Sequence, residues 1–265
     1  MPFILLTNDD GIDALGLPSF AAALGEIGDV EVVVPDRERS WVAKAITRFE
    51  SVTVERVEVA GIEMHTTTGY PADCVQLGVH TLFDRRPDIV VSGINVGYNH
   101  GTAFLQSSGT VGAALEGYIA EVPSVAFSMG GSSDDWNAWK QWADSKASLP
   151  NWIRLAELAA SMVDQMLTAG LSGVVNVGLP DSADLTTERR LTTVAKIGYD
   201  RLFQKTDSNT YSHFFGDLID SGTDMTGTDL EAAAQDLIAI TPISGVGFAE
   251  AHRKLAEALL LKTED

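Results

Sequence analysis

The chain has 265 residues, 45% hydrophobic and 21% charged, with a formal net charge of −19. That composition is ordinary for a protein with a sizeable core, but so acidic a surface repels nucleic-acid backbones and argues against a DNA or RNA binder. No apolar run nears the roughly 18 residues that span a bilayer, the first residues carry no basic segment of the signal-peptide kind, and the single cysteine, Cys74, excludes an intramolecular disulfide and suits a reducing cytoplasm.

Phe3–Thr7 is a short apolar run that reads as a buried strand, and residues 16–27 read as its helix. Residues 30–34 form the second strand. Residues 51–59 alternate Thr and Val as a strand does, and a further strand is expected at 62–66. Gly69-Tyr70-Pro71-Ala72-Asp73 is a helix entry with Pro71 near the first helical position, the helix reaching about residue 83. A core strand at 88–91, a helix at 109–119 and a buried strand at 123–127 follow. This rhythm predicts an α/β fold, a three-layer, doubly wound, mostly parallel Rossmann-like sheet.

Residues 129–149 break the rhythm with Trp136, Trp139 and Trp142, whose spacing puts them on one side of a helix. Packing on the body or on another subunit is the commoner use of such a face; a sugar- or base-stacking platform is the other. Residues 151–169 form an amphipathic helix and 173–177 a strand. From 191 to 228 the texture turns polar, aromatic and Gly-rich, with Tyr199, Phe203, Tyr211, Phe214 and Phe215. That predicts a β-hairpin region in the C-terminal half, protruding from one domain that takes in residues 1–265. A core strand at 237–241 and a closing helix at 248–261 complete the reading. Cys74 is expected to be a small buried residue.

Chemistry concentrates where strands end. Asn8-Asp9-Asp10-Gly11 follows the first strand. Two adjacent carboxylates there are costly unless neutralised, and a hard divalent cation at the carboxyl edge of a parallel sheet does that. A plain turn is the alternative. Asp36-Arg37-Glu38-Arg39-Ser40 follows the second strand, Ser92-Gly93-Ile94-Asn95-Val96-Gly97-Tyr98-Asn99 the core strand at 88–91, and Ser108-Gly109-Thr110-Val111 opens a helix. In a parallel sheet these loops share one edge and converge. Ser108 also serves as an N-cap, and Asn95 and Asn99 also suit turns. No G-x-G-x-x-G follows the first strand, which disfavours a nicotinamide dehydrogenase.

These clusters, in this order and together with Gly69-Tyr70-Pro71-Ala72-Asp73-Cys74-Val75 and the stretch from Thr228-Asp229 to Ile240-Thr241-Pro242, resemble the SurE family (survival protein E) of metal-dependent nucleotidases. The resemblance is dense over residues 3–128. It implies metal ligands at Asp9, Asp10, Ser40 and Asn95, with Asp9, Asp10 and Asn95 as the catalytic centre. All four offer oxygen, as Mg²⁺ or Mn²⁺ prefers, and Ca²⁺ also fits. The substrate phosphate is expected against Asn99 and the Ser108, Gly109, Thr110 turn at a helix N-terminus. Asn8 is expected to orient the carboxylates.

The implied reaction is hydrolysis of nucleoside 5′- and 3′-monophosphates to nucleoside and phosphate, with polyphosphate or another phosphomonoester as alternative substrates. A homodimer or homotetramer, with the 191–228 region between subunits, is implied too; no nucleic-acid polymer or membrane partner is expected. The chain departs from the family pattern at Trp41, where Gly is usual. Trp41 therefore either stacks on the nucleobase or narrows the pocket; a site blocked by it would leave a non-catalytic metal-binding homologue. One extra residue precedes Ser108. His100 is the nearest histidine and reads as a solvated loop residue.

Overall fold

Strand and helix alternate as the apolar runs require. In the first part of the computed structural model, β1 is Phe3–Thr7, α1 Leu17–Gly25, β2 Asp29–Pro35, β3 Val54–Val59, β4 Ile62–Thr67 and α2 Pro71–His80. Then come β5 at Ile89–Val96, α3 at Gly101–Ser107, α4 at Gly109–Ile119, β6 at Ser124–Gly130, α5 at Trp136–Ala143, α6 at Leu149–Ala169 and β7 at Val174–Pro180. The last elements are β8 Arg189–Leu191, β9 Ile197–Tyr199, β10 Phe203–Lys205, β11 Tyr211–His213, β12 Leu218–Asp220, α7 Asp229–Ala234 and β13 Ile238–Ile243. The structure describes residues 1–131, 135–214, 218–220, 222 and 224–244; the helix expected at 248–261 lies outside them.

Among the described residues the main sheet has nine strands in the order β3-β4-β2-β1-β5-β6-β7-β13-β8. The run from β4 to β7 is parallel throughout, with β3 and β13 the antiparallel additions. Every residue of β1 is buried, because a central parallel strand is covered on both faces. Ile4 and Leu6 join the cluster that holds Leu17, Phe20 and Leu24 of α1 and Leu155 and Leu158 of α6. Leu5 joins the opposite cluster, with Cys74, Val75 and Val79 of α2 and Ala113 of α4. Val32 and Val34 against Val33, and Ile89 and Val91 against Val90, repeat the split. Period-two alternation thus makes the three layers, and each buried Leu, Ile or Val stabilises them by about 1.5–3 kcal/mol.

The chain leaves β1 towards β2 on one side and returns to β5 on the other. The carboxyl ends of β1 and β5 are therefore the switch point, where open α/β sheets leave a crevice.

Several boundaries differ from the sequence reading. The strand expected at 51–59 starts at Val54, after a loop whose Thr53 amide donates to Thr68 Oγ1 at 3.1 Å. The Gly-rich loop after β5 winds into α3, closed by the Ser108 amide on the Phe104 carbonyl at 3.0 Å. β8 belongs to the main sheet, parallel to β13, and β9–β12 form two small antiparallel ladders separate from it. Phe203 and Tyr211 stand exposed on one of them. The three tryptophans of α5 lie on the body: Trp139 is buried and donates from Nε1 to Asp181 Oδ2 at 2.8 Å, with the Trp136 ring tilted against it at 5.2 Å. Cys74 is buried, as expected, and burial raises its thiol well above the ordinary range. No helix among the described residues is long and apolar enough to cross a membrane.

Candidate functional site

Past the last residue of β1 the two carboxylates go opposite ways. Asp9 turns towards the α2/α4 layer, where its Oδ1 accepts the Thr110 hydroxyl, and Asp10 turns towards the α1/α6 layer. Asp9 is only 3% exposed, and its carbonyl accepts the Arg39 amide at 2.7 Å. The first turn of α4 rides on this carboxylate: a Cβ on Gly109 would stand 2.8 Å from Asp9 Cβ and Oδ2. Asp10 Oδ2 accepts the Val96 amide at 3.2 Å and faces a cavity of about 300 Å³ lined by Asp13, Glu38, Lys140 and Trp152 among others.

Asn8 clamps the turn between the two. Its Oδ1 accepts the Gly11 amide at 3.1 Å and its Nδ2 donates to the Gly11 carbonyl at 3.0 Å, which fixes the turn on which the two carboxylates stand. Gly11 is required: its φ is +86°, and a Cβ would meet the Arg37 carbonyl carbon at 2.6 Å.

Burial pushes the Asp9 carboxyl up to about 6, against the hydrogen bonds from Thr110. Burial, then the neighbouring Asp9 charge, holds Asp10 well above the usual carboxylate range. Two such carboxylates side by side are disfavoured as anions and need a cation or a proton.

The other two implied ligands stand next to residues that bond the pair, Ser40 after Arg39 and Asn95 before Val96. Asn95, nearly buried near the end of β5, donates from Nδ2 to the Gly97 carbonyl at 2.6 Å, which turns its acceptor end, Oδ1, the other way. Ser40 follows Arg39, is exposed, and donates from Oγ to Glu38 Oε1 at 2.6 Å; its oxygen lone pairs remain for a cation. Among the described residues no three His, Cys, Asp or Glu side chains gather into a metal site. The two carboxylates with the Asn95 and Ser40 oxygens would offer a cation an all-oxygen donor set, the kind Mg²⁺ or Mn²⁺ prefers and zinc does not.

On the far side of β5, Asn99 is held by its backbone. Its amide donates to Ser128 Oγ at 3.2 Å and its carbonyl accepts Asn176 Nδ2 at 3.0 Å, while its own Nδ2 is buried without a partner. An orphaned buried donor of this kind is costly until a ligand or water accepts from it. Ser108 caps α4 by accepting the Val111 amide at 3.1 Å. Thr110, expected at the phosphate, has its hydroxyl on Asp9 instead.

His100 corrects the sequence reading: it is buried, stacked on Tyr98 with ring centroids 4.1 Å apart, and burial lowers it to about 3. A neutral ring packed this deep is not a solvated loop histidine. The reading failed because the ring lies against β7, where Gly178 leaves no room for a Cβ beside the imidazole.

The loop that carries Ser40 and Trp41 is fastened to α2 and α4. Ala43 donates to the Ser107 carbonyl at 2.9 Å, Thr47 Oγ1 to Asp73 Oδ2 at 2.6 Å, and Lys44 pairs with the buried Glu116, which also takes Gln76. Trp41 has a φ of 61° and packs its ring 5.3 Å from Tyr199, 6.0 Å from Phe104 and 5.2 Å from His213. It is 43% exposed, a half-open aromatic wall next to Ser40. Glu38 and Lys140 were missed from sequence. Glu38 stands inside a recognised turn and was legible as a third carboxylate; Lys140 arrives from α5, with no local signal.

The model of the family described as survival protein SurE matches residues 4–201. A 5′-nucleotidase SurE of Geobacter metallireducens is 36% identical over 249 residues, covering 91% of this chain and 90% of the relative. One of Methanopyrus kandleri is 33% identical over 244 residues, covering 91% and 90%. The crystal structure of the SurE protein from Aquifex aeolicus superposes with a TM-score of 0.76 at 29% identity, covering 97% of this chain and 99% of that one. With the family model spanning most of the sequence and such relatives matching nearly all of it, this chain belongs to the SurE family.

Proposed function

We propose that this chain is a divalent-metal-dependent nucleotidase that hydrolyses nucleoside 5′-monophosphates, and 3′-monophosphates, to nucleoside and phosphate. The observation that carries it is the pair Asp9 and Asp10 at the switch point, Asp9 buried and both raised in pKa, with Val96, the neighbour of Asn95, donating its amide to Asp10. The relatives named 5′-nucleotidase SurE support the substrate class.

In this reading Asp9, Asp10, Asn95 and Ser40 hold Mg²⁺ or Mn²⁺. When bound, the cation supplies Lewis-acid polarisation of a phosphoryl oxygen and a more acidic water. The chain's own groups do the rest. Asn99 Nδ2, buried and unpartnered, donates to a phosphoryl oxygen, and the N-terminus of α4 at Gly109 adds an amide donor and its dipole. Thr110 fixes the Asp9 carboxylate by its hydroxyl, and so acts on the phosphate through Asp9. Asp10, on the cavity side, orients the attacking water for an in-line displacement. Trp41 offers a face to the nucleobase. The exposed aromatics of β10 and β11 suit a contact between copies in a homodimer or homotetramer, and the lone buried thiol suits the cytoplasm.

The test is phosphate release from a panel of 5′- and 3′-nucleoside monophosphates, with Mg²⁺, with Mn²⁺ and with chelator, beside Asp9→Asn. Metal-dependent release that Asp9→Asn abolishes is expected. Release that survives chelator, or survives the substitution, refutes the assignment.

A further inference from the structure

The cavity beside Asp10 holds a charge that the reading above does not use. Its walls carry four carboxylates, Asp10, Asp13, Glu38 and Asp144, and two cations, Arg37 and Lys140. Arg37 is largely exposed and leans on Asp36 at 3.8 Å. Lys140 comes from α5 and bonds Asp144 Oδ2 at 2.9 Å. Burial alone lowers its ammonium, but Asp144, Glu38 and Asp10 together raise it above its ordinary range, so it is a fixed positive charge.

Helix α5 is held where it delivers that charge. Asp135 caps it, accepting the Ala138 amide at 3.0 Å. Trp139 is tied to Asp181, and the Ala143 carbonyl accepts Trp152 Nε1 at 3.0 Å. Trp136 covers Gly97 so closely that a Cβ there would lie 2.7 Å from the ring. Gly97 is the residue whose carbonyl holds Asn95. One short helix therefore packs on the β5 turn and places a lysine in the Asp10 cavity.

We propose that Lys140 is a substrate-positioning residue, whose ammonium draws the phosphate of the nucleotide into the Asp10 side of the site and weakens the hold on free metal. The inference rests on the nucleotidase reading. Without Lys140 the cavity is lined by four carboxylates and one outward-leaning arginine, a field that attracts a dication and repels a phosphate dianion. With it, the phosphate meets a cation on the side opposite α4.

Lys140→Met and Lys140→Arg test it. Lys140→Met is expected to raise KM for the best nucleoside monophosphate about tenfold, to change kcat less than about twofold, and to tighten Mn²⁺ binding without nucleotide about threefold. The KM effect shrinks in high salt, as a half-exposed charge requires. Lys140→Arg restores KM, which a packing role for the stem would not predict. A Lys140→Met protein that melts like wild type with KM and Mn²⁺ affinity unchanged overturns the inference. If wild type releases no phosphate from any nucleotide, the nucleotidase reading falls, and Mn²⁺ titration alone still decides Lys140: unchanged affinity overturns it.

Discussion

Replacing Gly109 with alanine probes how closely α4 is built onto the Asp9 carboxylate. The added methyl carbon would stand 2.8 Å from both Cβ and Oδ2 of Asp9 and 3.2 Å from the Arg39 carbonyl oxygen. Ordinary contact begins at 3.4 Å, so one partner must yield by about 0.6 Å. Helix α4 is poorly placed to retreat, because it is packed on α2 and the sheet and its Gly112 abuts the Ala43 carbonyl. Asp9 is the group that moves. A misplacement of about 1 Å costs about 10²-fold in rate, so a shift of about half that predicts a loss of about 10- to 10²-fold in kcat/KM, borne by kcat, with weaker Mn²⁺ binding.

Stability should change little by comparison. Overpacking costs about 1–3 kcal/mol, and the helical preference of Ala over Gly returns about 1 kcal/mol. Thermal melting, Mn²⁺ titration and phosphate release on the same preparation check all three. A Gly109→Ala protein with wild-type activity and wild-type metal affinity refutes the claim that Asp9 is positioned by contact with α4.

Three further outcomes are expected. His100 has an ordinary value of 6.5, lowered to about 3 in the fold. Below pH 6.5 the unfolded chain takes up a proton that the folded chain refuses, so stability falls by up to about 1.4 kcal/mol per pH unit from 6.5 towards 3; His100→Asn removes that slope, read as the difference from wild type in denaturant titrations at pH 4, 5, 6 and 7, and parallel curves would contradict burial of a neutral ring. Lys44→Met leaves the buried Glu116 without its cation and costs about 3 kcal/mol, which lowers the melting temperature by about 5–10 °C; an unchanged melt would show that Gln76 alone satisfies the carboxylate. Trp41→Ala raises KM for nucleoside monophosphates about tenfold, the scale of one base stacked on an aromatic ring, and leaves KM for a simple alkyl phosphate alone; equal effects on both would mean that Trp41 acts only by holding its loop.

What the sequence disclosed follows the distance over which the forces act. Apolar alternation is local, so Ile4 and Leu6 against Leu5 declared a two-faced strand before any fold was in view. The doubly wound sheet then put the clusters after β1, β2 and β5 on one edge by topology alone. His100 was misread because its ring is covered by Tyr98 and by Gly178 of β7, a strand far along the chain. Thr110 was assigned to the phosphate by its place in a turn, but the hydroxyl meets Asp9, a hundred and one residues earlier. Lys140 had no local pattern at all, only a helix whose tryptophans find the body.

One dipeptide can serve a site with two walls. Strand β1 ends at Thr7 and the turn that follows sends its two carboxylates to opposite sides. Asp9 meets α4, with its cap, its small residues and its dipole, while Asp10 meets a cavity floored by Trp152 of α6 and edged by Lys140 of α5. The Asp9 wall is built from backbone amides and glycines, which tolerate little change. The Asp10 wall is built from long side chains on a helix in the stretch that breaks the strand–helix rhythm, and those can be exchanged without disturbing the sheet. Substrate choice among chains of this fold is thus expected to vary on the Asp10 side, with the chemistry of the Asp9 side held fixed.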